Sequence, residues 1–175
     1  GDKEIYSLAS QTVDGKPRIY AGTQPAHLFY SDDLGKSWAE LPALRQVPGV
    51  EKWTFPGPPH LAHVKSITFH PKDPNIIHVA VEVGGFLKST DGGKTWTTID
   101  NINPDAHRVL IPTNDPNKVY GTAPTTNCGP ETPAGFCVSS DGGASWKSMT
   151  PRDFRIGYVD PFFVHPGNPD LLFVA

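Results

Sequence analysis

A handful of residues far apart in the chain have side chains suited to chemistry: His60 and His63, spaced as HxxH; Glu82, just ahead of a Gly-Gly pair; Asp105 and His107; and Arg155 with Tyr158. Glu82 and Asp105 are the residue types of an acid and base for glycoside hydrolysis, which needs two carboxyls roughly 5–10 Å apart. His107 and His63 suit proton transfer or substrate orientation beside them, and Arg155 suits an acidic or hydroxyl group. Trp53 and Phe55 offer flat apolar rings on which a sugar can stack, although an aromatic in a long loop more commonly lids the core. HxxH with Asp105 or His107 has zinc-ligand types, but in a Pro-rich loop that spacing fixes no geometry, so neither a metal nor any other cofactor is expected.

Residues so dispersed need a rigid frame to meet, and the frame is written as a repeat. Ser-x-Asp-x-Gly-x-x-Trp occurs as SDDLGKSW at 31–38, STDGGKTW at 89–96 and SSDGGASW at 139–146. The GGKT of the second copy looks like the end of a phosphate-binding loop, but the glycine required six positions before the Lys is replaced by Lys88. A helix-loop-helix calcium site counted from Asp91 needs Glu at its twelfth position, where Ile102 stands. With both excluded, each octapeptide reads as a turn. Its Asp accepts backbone N–H bonds, its Ser closes the hairpin, its Gly supplies a conformation other residues resist, and its Trp packs into the sheet.

The text before each octapeptide repeats as well. ITFHPKDPNIIHVAVEVGGFLKS, residues 67–89, alternates apolar and polar residues between a Pro/Asp/Asn turn and a Gly-Gly turn, and TWTTID follows as a fourth strand. The separations of 58 and 50 residues between boxes suit a four-stranded antiparallel meander. The expected fold is an all-β β-propeller of four-stranded antiparallel blades. A single partial domain spans 1–175, with blades at about 4–41, 63–100 and 107–149 and an incomplete one at 158–175. About three and a half blades are present, so a fragment of a longer propeller is expected, whose missing blades are partners for the exposed sheet faces.

The octapeptides resemble the Asp-box, or BNR, repeat of sialidase-like propellers, xyloglucan-acting glycosidases, sortilin-type receptors and a photosystem II assembly factor. That resemblance implies the propeller fold and leaves enzymes, receptors and assembly factors open. DFRIG at 153–157 is similar to the Phe-Arg-Ile-Pro motif of sialidases, which carries carboxylate binding onto Arg155 and makes Tyr158 a nucleophile analogue. Gly157 stands in place of the Pro, the motif follows the third box instead of preceding the first, and Arg18, Arg45 and Arg108 lack the context of the other binding arginines.

A net charge of −3 and a pI near 6.1 give no basic footprint for nucleic acid, and no apolar run approaches a membrane span. The only cysteines, Cys128 and Cys137, bracket NCGPETPAGFC, a loop that suits an oxidising compartment as a disulfide and the cytosol as two thiols. Secreted or periplasmic is the localisation favoured.

Antiparallel meanders put alternate turns at opposite ends. The boxes then share an end with the short turns TVDGKP, HPKDPN, PTNDPN and HPGNPD, and the long interblade loops occupy the other. The expected function is binding, with hydrolysis in its enzymatic version, of a carbohydrate at that loop-rich channel mouth. Glu82, Asp105 and His107 are its catalytic residues, and Trp53, His60, His63, Arg155 and Tyr158 bind substrate. The alternative is a non-catalytic scaffold, assembly factor or receptor that grips a protein or peptide there.

Overall fold

The runs between the Gly- and Pro-rich turns fold as strands, seen in a computed structural model that describes residues 3–100, 102, 104–127, 134–149, 159–168 and 170–174. Four sheets follow one another along the chain, every pairing antiparallel. The first holds β1 (Glu4–Val13), β2 (Lys16–Gln24), β3 (Leu28–Ser31) and β4 (Ala39–Glu40). The second holds β5 (His63–Phe69), β6 (Ile77–Glu82), β7 (Gly85–Ser89) and β8 (Thr97–Thr98). The third holds β9 (Arg108–Leu110), β10 (Val119–Asn127), β11 (Ala134–Ser139) and β12 (Lys147–Ser148), and the last pairs β13 (Phe162–Val164) with β14 (Leu172–Val174). This is the β-propeller expected from the repeat, with three four-stranded sheets and a two-stranded one among the described residues.

Every other side chain of a strand points to the same face, so a sheet packed on both sides needs apolar residues at both phases. IHVAVE in β6 shows this: Ile77, Val79 and Val81 join Tyr20, Leu28 and Leu44 in the core between the first two sheets. Ala80 faces the other way, to Phe86, Val109 and Val119 between the second and third. A third core gathers Tyr120, Phe136, Phe162 and Val164. Gly22 in β2 allows the close approach of neighbouring sheets, since a Cβ there would stand 2.6 Å from Cγ1 of Val64.

The boxes tie the hairpins between third and fourth strands. In the second copy Ser89 donates to Asp91 at 2.8 Å and accepts from the Gly93 N–H at 2.8 Å, while the Thr95 N–H and hydroxyl donate to the Asp91 carboxylate at 2.9 and 2.6 Å. Ser37 and Ser145 repeat the Thr95 bonds, so the working pattern includes a hydroxyl residue just before the Trp. Those bonds hold the Asp33 and Asp91 carboxyls down at about 2. Each Trp donates its indole N–H to the carbonyl of the box glycine at 3.1 Å.

The three tryptophans differ in burial, however. Trp96 packs with Leu41 of the preceding sheet, and Trp146 packs against Phe86 of the sheet before it. The expectation that Trp38 also packs into its blade needs correction: among the described residues no neighbouring sheet covers that ring, and Trp38 is 41% exposed. Gly92 and Gly142 donate to the carbonyls of Asn75 and Asn117, which places the second and third boxes against the Pro/Asp turns of their own sheets, at one end of the propeller.

Candidate functional site

At the opposite end the sequence alternation and the loop tethers bring charged groups from three sheets together. His63 opens β5 and Glu82 closes β6, and the two are cross-strand partners. His63 donates or accepts at Nε2 with the Glu82 carboxylate at 3.1 Å. His107, just before β9, is held by its N–H to the Thr122 carbonyl at 3.0 Å, and its Nε2 lies 2.8 Å from Oε1 of Glu82. Asp105 arrives with it because the Gly84 and Gly85 N–H groups both donate to the carbonyl of Pro104. Oδ1 of Asp105 is 3.2 Å from Nε2 of His107.

Two further residues, Lys65 and Asp160, complete the cluster beyond those expected from sequence. Lys65 on β5 reaches Oε2 of Glu82 at 2.6 Å, Oδ2 of Asp160 at 3.2 Å and Nδ1 of His107 at 3.1 Å. Asp160, two residues ahead of β13, sits 3.7 Å from Nδ1 of His107. A signal existed for Asp160: it occupies the approach to an innermost strand, as His107 does in the preceding sheet. Lys65 falls at a register shift of β5, between the paired Val64 and Ser66, where simple alternation does not place it.

The cluster is shielded. The Glu82 side chain is 8% exposed and those of His63 and His107 nearly zero, while Asp105 and Asp160 open to 17% and 27%. Burial pushes the Glu82 carboxyl up, but hydrogen bonds from His107, His63 and Lys65 outweigh it and hold the group well below the usual carboxylate range. Burial likewise opposes charge on His107, and Asp105 and Glu82 overcome it, raising that imidazole. Lys65 is raised through Glu82 and Asp160 against the pull of burial. Glu82 is therefore an ionised hub whose proton is unavailable at neutral pH, which does not suit the role of proton donor.

The remaining expected residues take different places. His63 lies between two rings, its centroid 4.0 Å from that of Tyr6 and 5.1 Å from that of Phe55. Trp53 is half-buried against the first core and the backbone of Gly84. Its loop is bound to the β6–β7 turn by reciprocal bonds between Thr54 and Val83. His60 is exposed and pairs its ring with the Phe55 carbonyl at 3.0 Å, so the HxxH spacing does not bring His60 and His63 onto a common point. Arg155, Tyr158 and Cys128 lie outside the described residues; Cys137 is disulfide-bonded. Among the described residues, no helix is long and apolar enough to cross a membrane.

Comparison with known proteins agrees with the repeat and the architecture. The BNR/Asp-box repeat family matches residues 87–98. No curated protein is matched by sequence. Among solved structures, the chain is similar to the GH74 enzyme of Niastella koreensis, at 18% identity and a TM-score of 0.70, over 98% of this chain and 26% of that one. It is similar to an ancestral GH74 enzyme, at 18% identity and 0.65, over 97% and 21%. YCF48 bound to D1 peptide superposes at 15% identity and 0.56, over 86% and 40%. The chain thus spans less than half the length of each of these proteins, and likeness at such identities concerns the fold. With the octapeptides at its hairpins and its sheets in the propeller arrangement, the chain has a β-propeller fold and carries a match to the BNR/Asp-box repeat at residues 87–98.

Proposed function

We propose that the loop-bearing end binds a carbohydrate and, in its enzymatic form, hydrolyses it. The observation that carries this reading is the graded cluster: a buried, ionised Glu82 holds His63, Lys65 and His107, while Asp105 and Asp160 keep accessible carboxylate edges toward the mouth. Sugar hydroxyls are recognised by such paired carboxylates and cations. Asp105 replaces Glu82 as the carboxyl suited to proton transfer, with His107 beside it and Glu82 positioning both. Oδ1 of Asp105 and Oδ1 of Asp160 lie 3.2 and 3.7 Å from opposite ring nitrogens of His107. The two carboxyl groups therefore flank one imidazole, with Oδ1 of Asp160 itself buried.

Trp53 and Phe55 supply apolar surface at the same loop, and His60, Arg155 and Tyr158 are proposed as further substrate contacts. An extracytoplasmic location fits the disulfide at Cys137. The exposed Ile5 and Leu8 on the first sheet, and Phe163 and Phe173 on the last, suit further blades packing on both. Titration of an oligosaccharide panel, followed by a reducing-sugar assay, tests the reading. Binding that weakens at least tenfold in Asp105→Asn supports it, with loss of turnover where turnover exists. A panel that neither binds nor turns over overturns it. A peptide ligand is the second reading, favoured by the exposed apolar Leu61 beside the His60 loop.

A further inference from the structure

The same cluster has a geometry that sugar recognition does not require. One ligand atom each from Glu82, Asp105 and His107 lie within 4.8 Å of one another. Two of the edges of this triangle are 2.8 Å, from Nε2 of His107 to Oε1 of Glu82, and 3.2 Å, from Nε2 to Oδ1 of Asp105. Ligand bonds of about 2.0–2.2 Å at tetrahedral to octahedral angles put neighbouring donors about 3.0–3.5 Å apart. Atoms so spaced can share one ion with small adjustments.

The two oxygens of Glu82 are divided between tasks. Oε2 is taken by Lys65 at 2.6 Å and His63 at 3.1 Å, which fixes the carboxylate plane and turns Oε1 toward His107. Orientation of a ligand carboxylate by outer partners is a regular feature of metal centres, as is a ligand imidazole donating its second N–H to a carboxylate. Asp160 provides an acceptor for that N–H. Its Oδ1 is buried, has no hydrogen-bond partner among the described residues, and lies 3.7 Å from Nδ1 of His107. A buried carboxylate oxygen without a donor is costly, and an imidazole that coordinates through Nε2 while donating from Nδ1 satisfies it. In the structure Lys65 donates to Nδ1 at 3.1 Å, so the ion-bound form requires Lys65 to leave the ring, with its bonds to Glu82 at 2.6 Å and Asp160 at 3.2 Å as tethers.

We propose that Glu82, Asp105 and His107 form a binding site for a divalent cation of borderline softness, Zn²⁺ foremost, with His63, Lys65 and Asp160 as the groups that orient its ligands. One nitrogen and two carboxylate oxygens are the donor set of such an ion and leave at least one position for water or for an oxygen of a bound ligand. The site joins the second sheet, through Glu82, to the approach of the third, through Asp105 and His107. It also uses a histidine pairing different from HxxH, since His60 is outside it.

Asp105 and His107 bound to an ion would not transfer protons, so the proposal is compatible with carbohydrate binding at this end and takes the place of the proton-transfer role of Asp105; ion binding is measured with no sugar present. The full chain, stripped with chelator, is titrated with Zn²⁺ by calorimetry, and retained zinc is counted after gel filtration. Stoichiometric binding of one ion per chain is expected, weakened at least tenfold in Asp105→Asn and in Glu82→Gln, with His60→Ala unchanged. Cobalt substitution is expected to give visible d–d bands that vanish in Asp105→Asn. Circular dichroism identifies any variant that fails to fold, and Asp105, on a partly exposed loop, is the substitution most easily accommodated. Absence of stoichiometric zinc in the folded wild type overturns the proposal, as does undiminished binding in folded Asp105→Asn or loss of binding in His60→Ala.

Discussion

Glu82→Gln isolates what the ionised hub contributes. The carboxylate is 8% exposed and holds Lys65 at 2.6 Å, His107 at 2.8 Å and His63 at 3.1 Å. Removing one member of a buried ion pair costs about 3–5 kcal/mol, because the partner charge stays desolvated without compensation. Here Lys65 keeps Asp160 at 3.2 Å and the glutamine amide retains an acceptor oxygen, so the lower end applies, about 3 kcal/mol. For a chain of this size that is a fall in Tm of roughly 6–12 °C. The assay is urea unfolding at pH 7, with protein concentration fixed and chelator present. Glu82→Gln/Lys65→Met should lose less than the sum of its single variants, with a coupling of about 1–3 kcal/mol. A Glu82→Gln variant within about 0.5 kcal/mol of wild type, or a strictly additive double, would show that the charges do not form the hub described.

Three other outcomes follow from the same structure. His78 is buried and its ring nitrogens have no hydrogen-bond partner among the described residues; burial, then the charge of Lys88, push it down to about 4 from 6.5. The unfolded chain therefore binds the proton first, and stability should fall as pH drops from about 6.5 to 4, by on the order of 3 kcal/mol in total; parallel pH curves for wild type and His78→Leu would refute this. Gly93 has φ +89 and a Cβ there would come within 2.9 Å of Leu41, whereas Gly49, at φ +86, has open space. Gly93→Ala should thus cost more than Gly49→Ala, the latter about 1 kcal/mol, in the same urea assay. Ser66 exchanges hydrogen bonds with Val109 across two sheets, its hydroxyl donating to the carbonyl and accepting from the N–H, both at 3.2 Å. Ser66→Ala should lose about 1–3 kcal/mol by leaving those groups unpaired, and an unchanged unfolding midpoint would refute it.

The fold was legible because local and global signals agree. The period-two alternation of β6, the turn residues of HPKDPN and the box at 89–96 each imply one hairpin, and a four-stranded sheet is the structure that accommodates them all. The box chemistry was legible for the same reason, since Ser89, Asp91 and Gly93 act within one turn. The exposure of Trp38 was not, because burial of that ring depends on a neighbouring sheet and not on its own turn. At the loop end, His63 and His107 converge because each stands at the approach to the innermost strand of its sheet, and Glu82 because it closes the strand paired with β5. The contribution of Lys65 depends on a register shift in β5, which residue types do not encode. The changed reading of Glu82 comes from its three partners: an acid ahead of Gly-Gly looks accessible in sequence, and the fold surrounds it with donors.

Recognition at the loop end, with hairpin-tying at the box end, is the central proposal. The direct test is calorimetric titration of the oligosaccharide that binds wild type into two folded variants, Asp105→Asn at the loop end and Asp91→Asn at the box end. Affinity reduced at least tenfold in Asp105→Asn and retained in Asp91→Asn is the predicted result. Affinity retained in Asp105→Asn and lost in folded Asp91→Asn would contradict it.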